Sequence, residues 1–259
     1  MTESLQVRIH GTPDKPTLVY LPGLHGDWTL VGSFRRALGG RVRFVELTYP
    51  RTLTWSLDEY AGVIGDALVR GGITSGWLVA ESFGSQVAWA LTSGPKFKTE
   101  GLILAGGFGR HPAPWGVWLA ERLTGKVTPT LLTRLIHLYA RVARLRYRHA
   151  VEVLDGMKEF CARRTDLDRR AAQHRLKLIL RNDPRTYARK TTAPVYALTG
   201  LVDPIVPWLP VRRWLKRNCP TLCAERVIWH ADHTVLASAP EAAADQVLRW
   251  IVSAKTGQQ

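Results

Sequence analysis

Ala80-Glu81-Ser82-Phe83-Gly84, preceded by the apolar run Trp77-Leu78-Val79, is the stretch on which the reading of this 259-residue chain turns. A buried strand stops at a serine between small residues, and a helix-like segment from Ser85 to Leu91 begins behind it. Where a strand turns tightly into a helix the two backbones nearly touch, so positions two before and two after the apex must be small. Ala80 and Gly84 meet that requirement. The turn lifts the hydroxyl out of the sheet and sets it beside a helix start, where negative charge is favoured. Serine is also a common helix cap. The stretch alone therefore leaves two readings, a cap or a nucleophile, and a nucleophile needs a base and an acid from elsewhere.

Both are available near the C-terminus. Pro194 to Thr199 reads as a buried strand and runs into Gly200-Leu201-Val202-Asp203-Pro204-Ile205-Val206-Pro207. An Asp before Pro is ordinarily a turn former. Cys223 to Trp229 reads as a further strand, followed by His230-Ala231-Asp232-His233-Thr234. Serine, acid and histidine thus occur in the order Ser82, Asp203, His233, with the last two each following a strand. That is the chain order of the α/β-hydrolase arrangement.

On these residues the chain resembles an α/β-hydrolase-fold serine hydrolase, over roughly Thr17 to Ala105 and Ala193 to Val252. The Gly-x-x-Asp-Pro-Ile-Val-Pro run is similar to the family's acid loop. The other position the family uses for the acid, after the preceding strand, reads Gly106-Gly107-Phe108-Gly109 and carries no carboxylate. The resemblance implies that His233, in the loop beyond the last strand and ahead of an apolar stretch, is the base in preference to His230. It also implies an oxyanion hole. After the short strand Thr17–Leu21 comes Pro22-Gly23-Leu24-His25-Gly26-Asp27-Trp28, with Pro22-Gly23 standing where the family has His-Gly. Leu24 and Phe83 would give the two backbone N–H donors. Glu81 and Asp232 read as structural loop residues and His25 as a pocket-rim group. His25, Trp28, Trp115 and Trp208 are the candidate substrate-pocket residues. No metal spacing is present, since Cys219-x-x-x-Cys223 has no further ligand cluster near it. No cofactor is expected.

Apolar strand-like runs alternate with helical segments at Ser56–Val69, Phe83–Thr92, Trp208–Arg217 and Pro240–Val252. The alternation predicts a mostly parallel sheet with helices on both faces. Gln6–His10 and Val42–Leu47 read as additional strands, and Lys255 to Gln259 as a frayed tail. The core is expected to comprise 1–109 and 191–259. Between Arg110 and Lys190 the strand pattern gives way to helical patterning, and the resemblance makes 110–190 an inserted helical cap. Its helices are expected from Thr128-Pro129 to His149, over Val151–Arg163 and over Asp166–Leu180, with Pro184 closing the insertion.

Net charge is +15, and 110–190 holds 19 Lys and Arg against 7 Asp and Glu, or +12. Three readings of a basic cap stand open: a solvated face, attraction of an anionic substrate, or contact with an anionic membrane surface. Basic charge without a reading module gives no specific nucleic-acid partner. The chain has no apolar run of membrane-spanning length and no basic-then-apolar leader at Met1-Thr2-Glu3-Ser4. Its cysteines are an odd three, Cys161, Cys219 and Cys223. These features are consistent with free thiols and a cytoplasmic location. Oligomeric state has no signature. The function implied is cleavage of a carboxylic ester or thioester through an acyl-serine. Acyl transfer, C–C bond hydrolysis or lyase chemistry on the same fold, and a non-catalytic binding role are the alternatives.

Overall fold

Apolar side chains alternate between the two faces of seven strands, and each face is sealed by its own set of helices. The computed structural model describes residues 4–126 and 165–256. The strands are β1 (Gln6–His10), β2 (Thr17–Leu21), β3 (Arg43–Thr48), β4 (Ser75–Glu81), β5 (Lys98–Ala105), β6 (Val195–Gly200) and β7 (Leu222–Ile228). They form one sheet in the order β1-β3-β2-β4-β5-β6-β7, with only β1 antiparallel to its neighbour.

One face carries Val19, Leu21, Leu78, Ala80, Leu102 and Leu104 against helices α2 (Leu57–Arg70), α3 (Gly84–Leu91) and α7 (Trp208–Asn218). The other carries Leu18, Tyr20, Trp77, Val79, Ile103 and Leu198 against α1 (Gly32–Ala37), α8 (Val235–Ser238) and α9 (Pro240–Thr256). Burial on both sides is why the central strands read as continuous apolar runs. The chain leaves β2 toward β3 on one side and later enters β4 on the other, so β2 and β4 are neighbours whose connections diverge. Such a switch point opens a crevice at the carboxyl ends of the strands. Ser82 sits at its mouth.

Above that end lie α4 (Pro114–Lys126) and α5 (Asp166–Arg181), packed along one another. Thr165 starts α5 with a capping box: its hydroxyl accepts from Asp168 N–H while the Asp168 carboxylate accepts from Thr165 N–H. Ser56 and Glu59 do the same for α2. A short α6 (Arg185–Lys190), capped by Pro184, packs on α3 and α7.

Most strand and helix bounds fall within a residue or two of those expected. Four elements go beyond the sequence reading. Helices α1, α4 and α6 have no bounds in it, although α4 and α6 fall within 110–190, where helical patterning is expected; a Gly-Ser start and a Trp-Gly pair give weak propensity and packing decides. The terminal helix continues through Lys255 to Thr256, across the start of the expected tail. The helices expected at 128–149 and 151–163 lie outside the described residues. Among the described residues no helix is long and apolar enough to cross a membrane.

Candidate active site

Ser82 has φ of 49°, and it is the one non-glycine residue with positive φ among the described residues. A left-handed backbone at a residue bearing a Cβ costs about 1–2 kcal/mol. Such strain persists only where the surroundings impose it. Here they do. Ser82 N–H is held by Ala105 O at 3.1 Å, and Ser82 O accepts from Ser85 N–H at 3.0 Å and Ser85 Oγ at 2.6 Å. Two residues on, a Cβ at Gly84 would lie 2.3 Å from Leu21 O, so only glycine lets α3 pass β2. Gly107 lets the loop after β5 pass close to the turn, since a Cβ there would lie 3.0 Å from Ser85 Cβ and 3.2 Å from Ala80 O.

Ser82 Oγ lies 2.8 Å from His233 Nε2, and His233 Nδ1 lies 2.8 Å from Asp203 Oδ2. The carboxylate accepts a hydrogen bond from Nδ1–H, which leaves Nε2 as acceptor for the serine hydroxyl. Asp203 also serves as a turn former, because its Oδ1 accepts from Ile205 N–H at 2.9 Å and Val206 N–H at 2.8 Å. One carboxylate therefore folds its own loop and orients the imidazole. Two glycines admit the His233 loop. A Cβ on Gly106 (φ 55°) would stand 2.5 Å from His233 O, and one on Gly200 would stand 2.3 Å from Asp232 O. The Gly106-Gly107 segment, which lacks a carboxylate, is thus the seat for the histidine backbone.

His230 is exposed, and Asp232 caps its own loop by accepting from Thr234 N–H and Oγ1. Glu81 is buried and accepts from Tyr20 O–H at 2.5 Å. Burial and the Glu81 charge push the Tyr20 phenol well above its ordinary pKa, so it remains a donor.

The N–H groups of Leu24 and Phe83 donate to no acceptor among the described residues. Leu24 sits one residue beyond Gly23, where an added Cβ would be 3.4 Å from Ser82 Cβ and 3.4 Å from the His25 ring. The loop therefore lies directly against the serine, and His25 borders the same spot.

The expected tryptophans do not gather there. Trp28 packs on the second core face with the Arg8 guanidinium 4.0 Å above its ring. Trp115 is 73 % exposed on the outside of α4. Trp208 lines a cavity of ≈ 570 Å³ between α7 and strands β6 and β7, together with Arg212, Cys219 and Glu225. None of Ser82, Asp203 or His233 borders that cavity. Tryptophan's large area makes it a packing residue wherever an apolar surface offers itself.

Other residues join the site without a motif to mark them. Arg175, on α5 and 2 % exposed, donates to Leu24 O at 2.9 Å and Pro50 O at 3.3 Å. Its guanidinium also lies 5.5 Å from the Tyr49 ring centroid. It fills the space that a side chain at Gly26 would take, 2.3 Å from the position of a Cβ there. Gln86, one helical turn after Ser82, donates to Phe108 O and Gly109 O and accepts from Asn182 at 2.8 Å. His111 Nδ1 accepts from Ala113 N–H at 3.1 Å, and burial, helped by repulsion from His233, pushes its pKa down to about 4. It is a neutral imidazole with its proton on Nε2. Only Gln86 had a sequence signal, its spacing of four from the serine. Among the described residues no group of His, Cys, Asp and Glu could hold a metal ion.

Many solved structures share this arrangement of elements. A hydrolase from Pseudomonas aeruginosa superposes with a TM-score of 0.78 at 14% identity, covering 95% of this chain and 94% of that one. A thermophilic esterase from Thermogutta terrifontis gives 0.76 at 19% identity over 96% and 93% of the two chains. The enol-lactonase from Burkholderia xenovorans gives 0.75 at 18% identity over 96% of each. These likenesses establish the fold. No curated protein sequence matches the chain. The sequence model of the alpha/beta hydrolase family matches residues 9–246. With nearly the whole chain inside that match, the protein belongs to the alpha/beta hydrolase family.

Proposed function

We propose that the protein is a serine hydrolase that cleaves a carboxylic ester or thioester through an acyl-serine intermediate on Ser82. The observation that carries this reading is the unbroken chain from Asp203 Oδ2 through His233 to Ser82 Oγ, with 2.8 Å at each step, ending on a serine forced to positive φ.

In this reading Ser82 Oγ attacks the acyl carbonyl as His233 Nε2 takes its proton, and Asp203 stabilises the imidazolium without itself becoming protonated. The carbonyl oxygen becomes an alkoxide against the N–H groups of Leu24 and Phe83. Fixed donors of this kind are each worth about 3–4 kcal/mol in the transition state. His233 then returns the proton to the leaving alcohol or thiol. Water activated by the same imidazole releases the acid. Residues 110–190 form the cap in this account, tied to the site through Arg175 on the Leu24 carbonyl and Asn182 on Gln86.

Rapid mixing with nitrophenyl esters and thioesters of graded acyl length tests the mechanism. A burst equal to the enzyme concentration is expected, together with an acyl mass increment on the peptide containing Ser82. Steady turnover with no such increment on a trapped sample would sink the covalent route. Added alcohols diverting the acyl group faster than water would move the assignment to an acyltransferase.

A further inference from the structure

Helix α4 is apolar on both of its sides. Inward it sets buried Val117 and neighbouring Ala120 against the core, beside Glu121, which accepts from Gln173 at 2.9 Å and stands 3.7 Å from Lys177. Its outward side carries Trp115, Trp118, Leu119 and Leu123, exposed by 73, 49, 43 and 52 %. Their spacing of three, four and eight residues from Trp115 places them on one stripe. Arg122 lies on the same stripe with its guanidinium 4.8 Å from the Trp118 ring centroid, and Lys126 ends the helix. The one acidic side chain of α4, Glu121, is turned inward.

The stripe does not stand alone. Val202 and Ile205, in the loop after β6, are also exposed, by 49 and 55 %. Both α4 and that loop follow the carboxyl ends of parallel strands, so the exposed apolar side chains share the end of the molecule that holds Ser82. An outward face of Trp and Leu interleaved with Arg and Lys and free of acid is the composition of a helix lying in a bilayer interface. Residues 110–126 and 165–190, which hold 11 Lys and Arg against 4 Asp and Glu, give that end the sign that anionic lipid attracts.

We propose that the protein docks peripherally on anionic lipid bilayers through the outer face of α4, with the Ser82 end of the sheet directed at the membrane. Docking requires no chemistry at Ser82, so it is separable from the hydrolase assignment. In that orientation an apolar acyl substrate reaches the site from the lipid phase.

The test is partitioning of the full chain carrying Ser82→Ala onto vesicles of phosphatidylcholine alone or mixed with phosphatidylglycerol. Binding to the mixed vesicles is expected, with quenching of tryptophan fluorescence by brominated lipid. Trp115→Ala with Trp118→Ala should lower partitioning ~10-fold or more. Circular dichroism reports whether that pair still folds. Leu123→Gln, a milder change on the same stripe, should lower it less, and Val69→Ser, exposed on α2, should leave it unchanged. Absence of binding overturns the proposal. So does binding that high salt abolishes and the tryptophan pair leaves intact, which is adsorption of a polycation. A concentration-dependent dimer abolished by the same pair would assign the face to a second copy of the chain and would also overturn it.

Discussion

On the Asp203–His233 side of Ser82 backbone packing sets the geometry, whereas on the Leu24 side a side chain from α5 clamps a loop that its own backbone bonds also hold. Gly106 and Gly200 admit the histidine loop to within contact of two strand ends, and Asp203 closes its own turn with the oxygen it does not give to His233. The Leu24 loop is also fastened from outside, by Arg175 on Leu24 O. Parts held by backbone packing are rigid and intolerant of added atoms. The Leu24 loop has backbone bonds of its own, Gly26 N–H to Gly23 O at 3.0 Å and Tyr49 N–H to Gly26 O at 2.8 Å, but the clamp on Leu24 O depends on the position of the helix that brings it.

Asp203→Asn strikes the first region at its centre, since it removes the acceptor that fixes the imidazole tautomer. A fall in kcat of ~10⁴-fold is expected. Steady-state kinetics at pH 7 check it, and an unchanged kcat would mean that another carboxylate orients His233.

Gly200→Ala comes next. The new Cβ would meet Asp232 O at 2.3 Å and Ala231 O at 2.4 Å, and both are backbone atoms without freedom to swing away. The His233 loop must shift, and a shift of about 1 Å costs ~10²-fold in kcat. Retention of full activity in a folded variant would contradict the backbone-held picture.

Arg175→Gln sharpens the contrast. It keeps a donor near Leu24 O but removes the fork that also reaches Pro50 O. We expect kcat to fall ~10-fold with KM nearly constant, because the loss falls on the transition state. Arg175→Lys should recover little, since an ammonium is a point charge without the planar fork. A change in KM alone would make Arg175 a substrate-binding residue.

The smallest effect concerns stability. The unfolded chain protonates His111 near its ordinary pKa of 6.5, whereas the folded chain resists protonation until about pH 4. The unfolded state therefore binds the extra proton across that window. Stability is whole above pH 6.5 and falls as the pH drops toward 4, by about 1–3 kcal/mol. His111→Asn keeps an acceptor for Ala113 N–H and cannot titrate. Denaturant unfolding at a series of pH values should show a flatter profile for the variant, and parallel profiles would place the acid sensitivity elsewhere.

How much of this was legible in the sequence follows the same division. Strand ends, glycines and the three polar residues stand at fixed offsets from apolar runs, so Ser82, Asp203 and His233 could be named and the doubly covered sheet expected. Gly106-Gly107 was noticed for the carboxylate it lacks. Its use as a seat for His233 needed the fold, because the two segments are far apart in the chain. Arg175 carried no local signal at all: one basic residue among many in 110–190 reaches across 151 positions to Leu24. The tryptophans are conspicuous in sequence for their size, but Trp28 packs against the second core face, Trp208 lines the cavity beside β6 and β7, and Trp115 stands exposed on α4.

Labelling with a fluorophosphonate, followed by mass mapping of the adduct, tests the central claim most directly. It reads the activated serine without any knowledge of the substrate. The account predicts one adduct per chain, on Ser82, absent from folded Ser82→Ala and slowed by Asp203→Asn. Labelling at another serine, or none in folded protein, would contradict it.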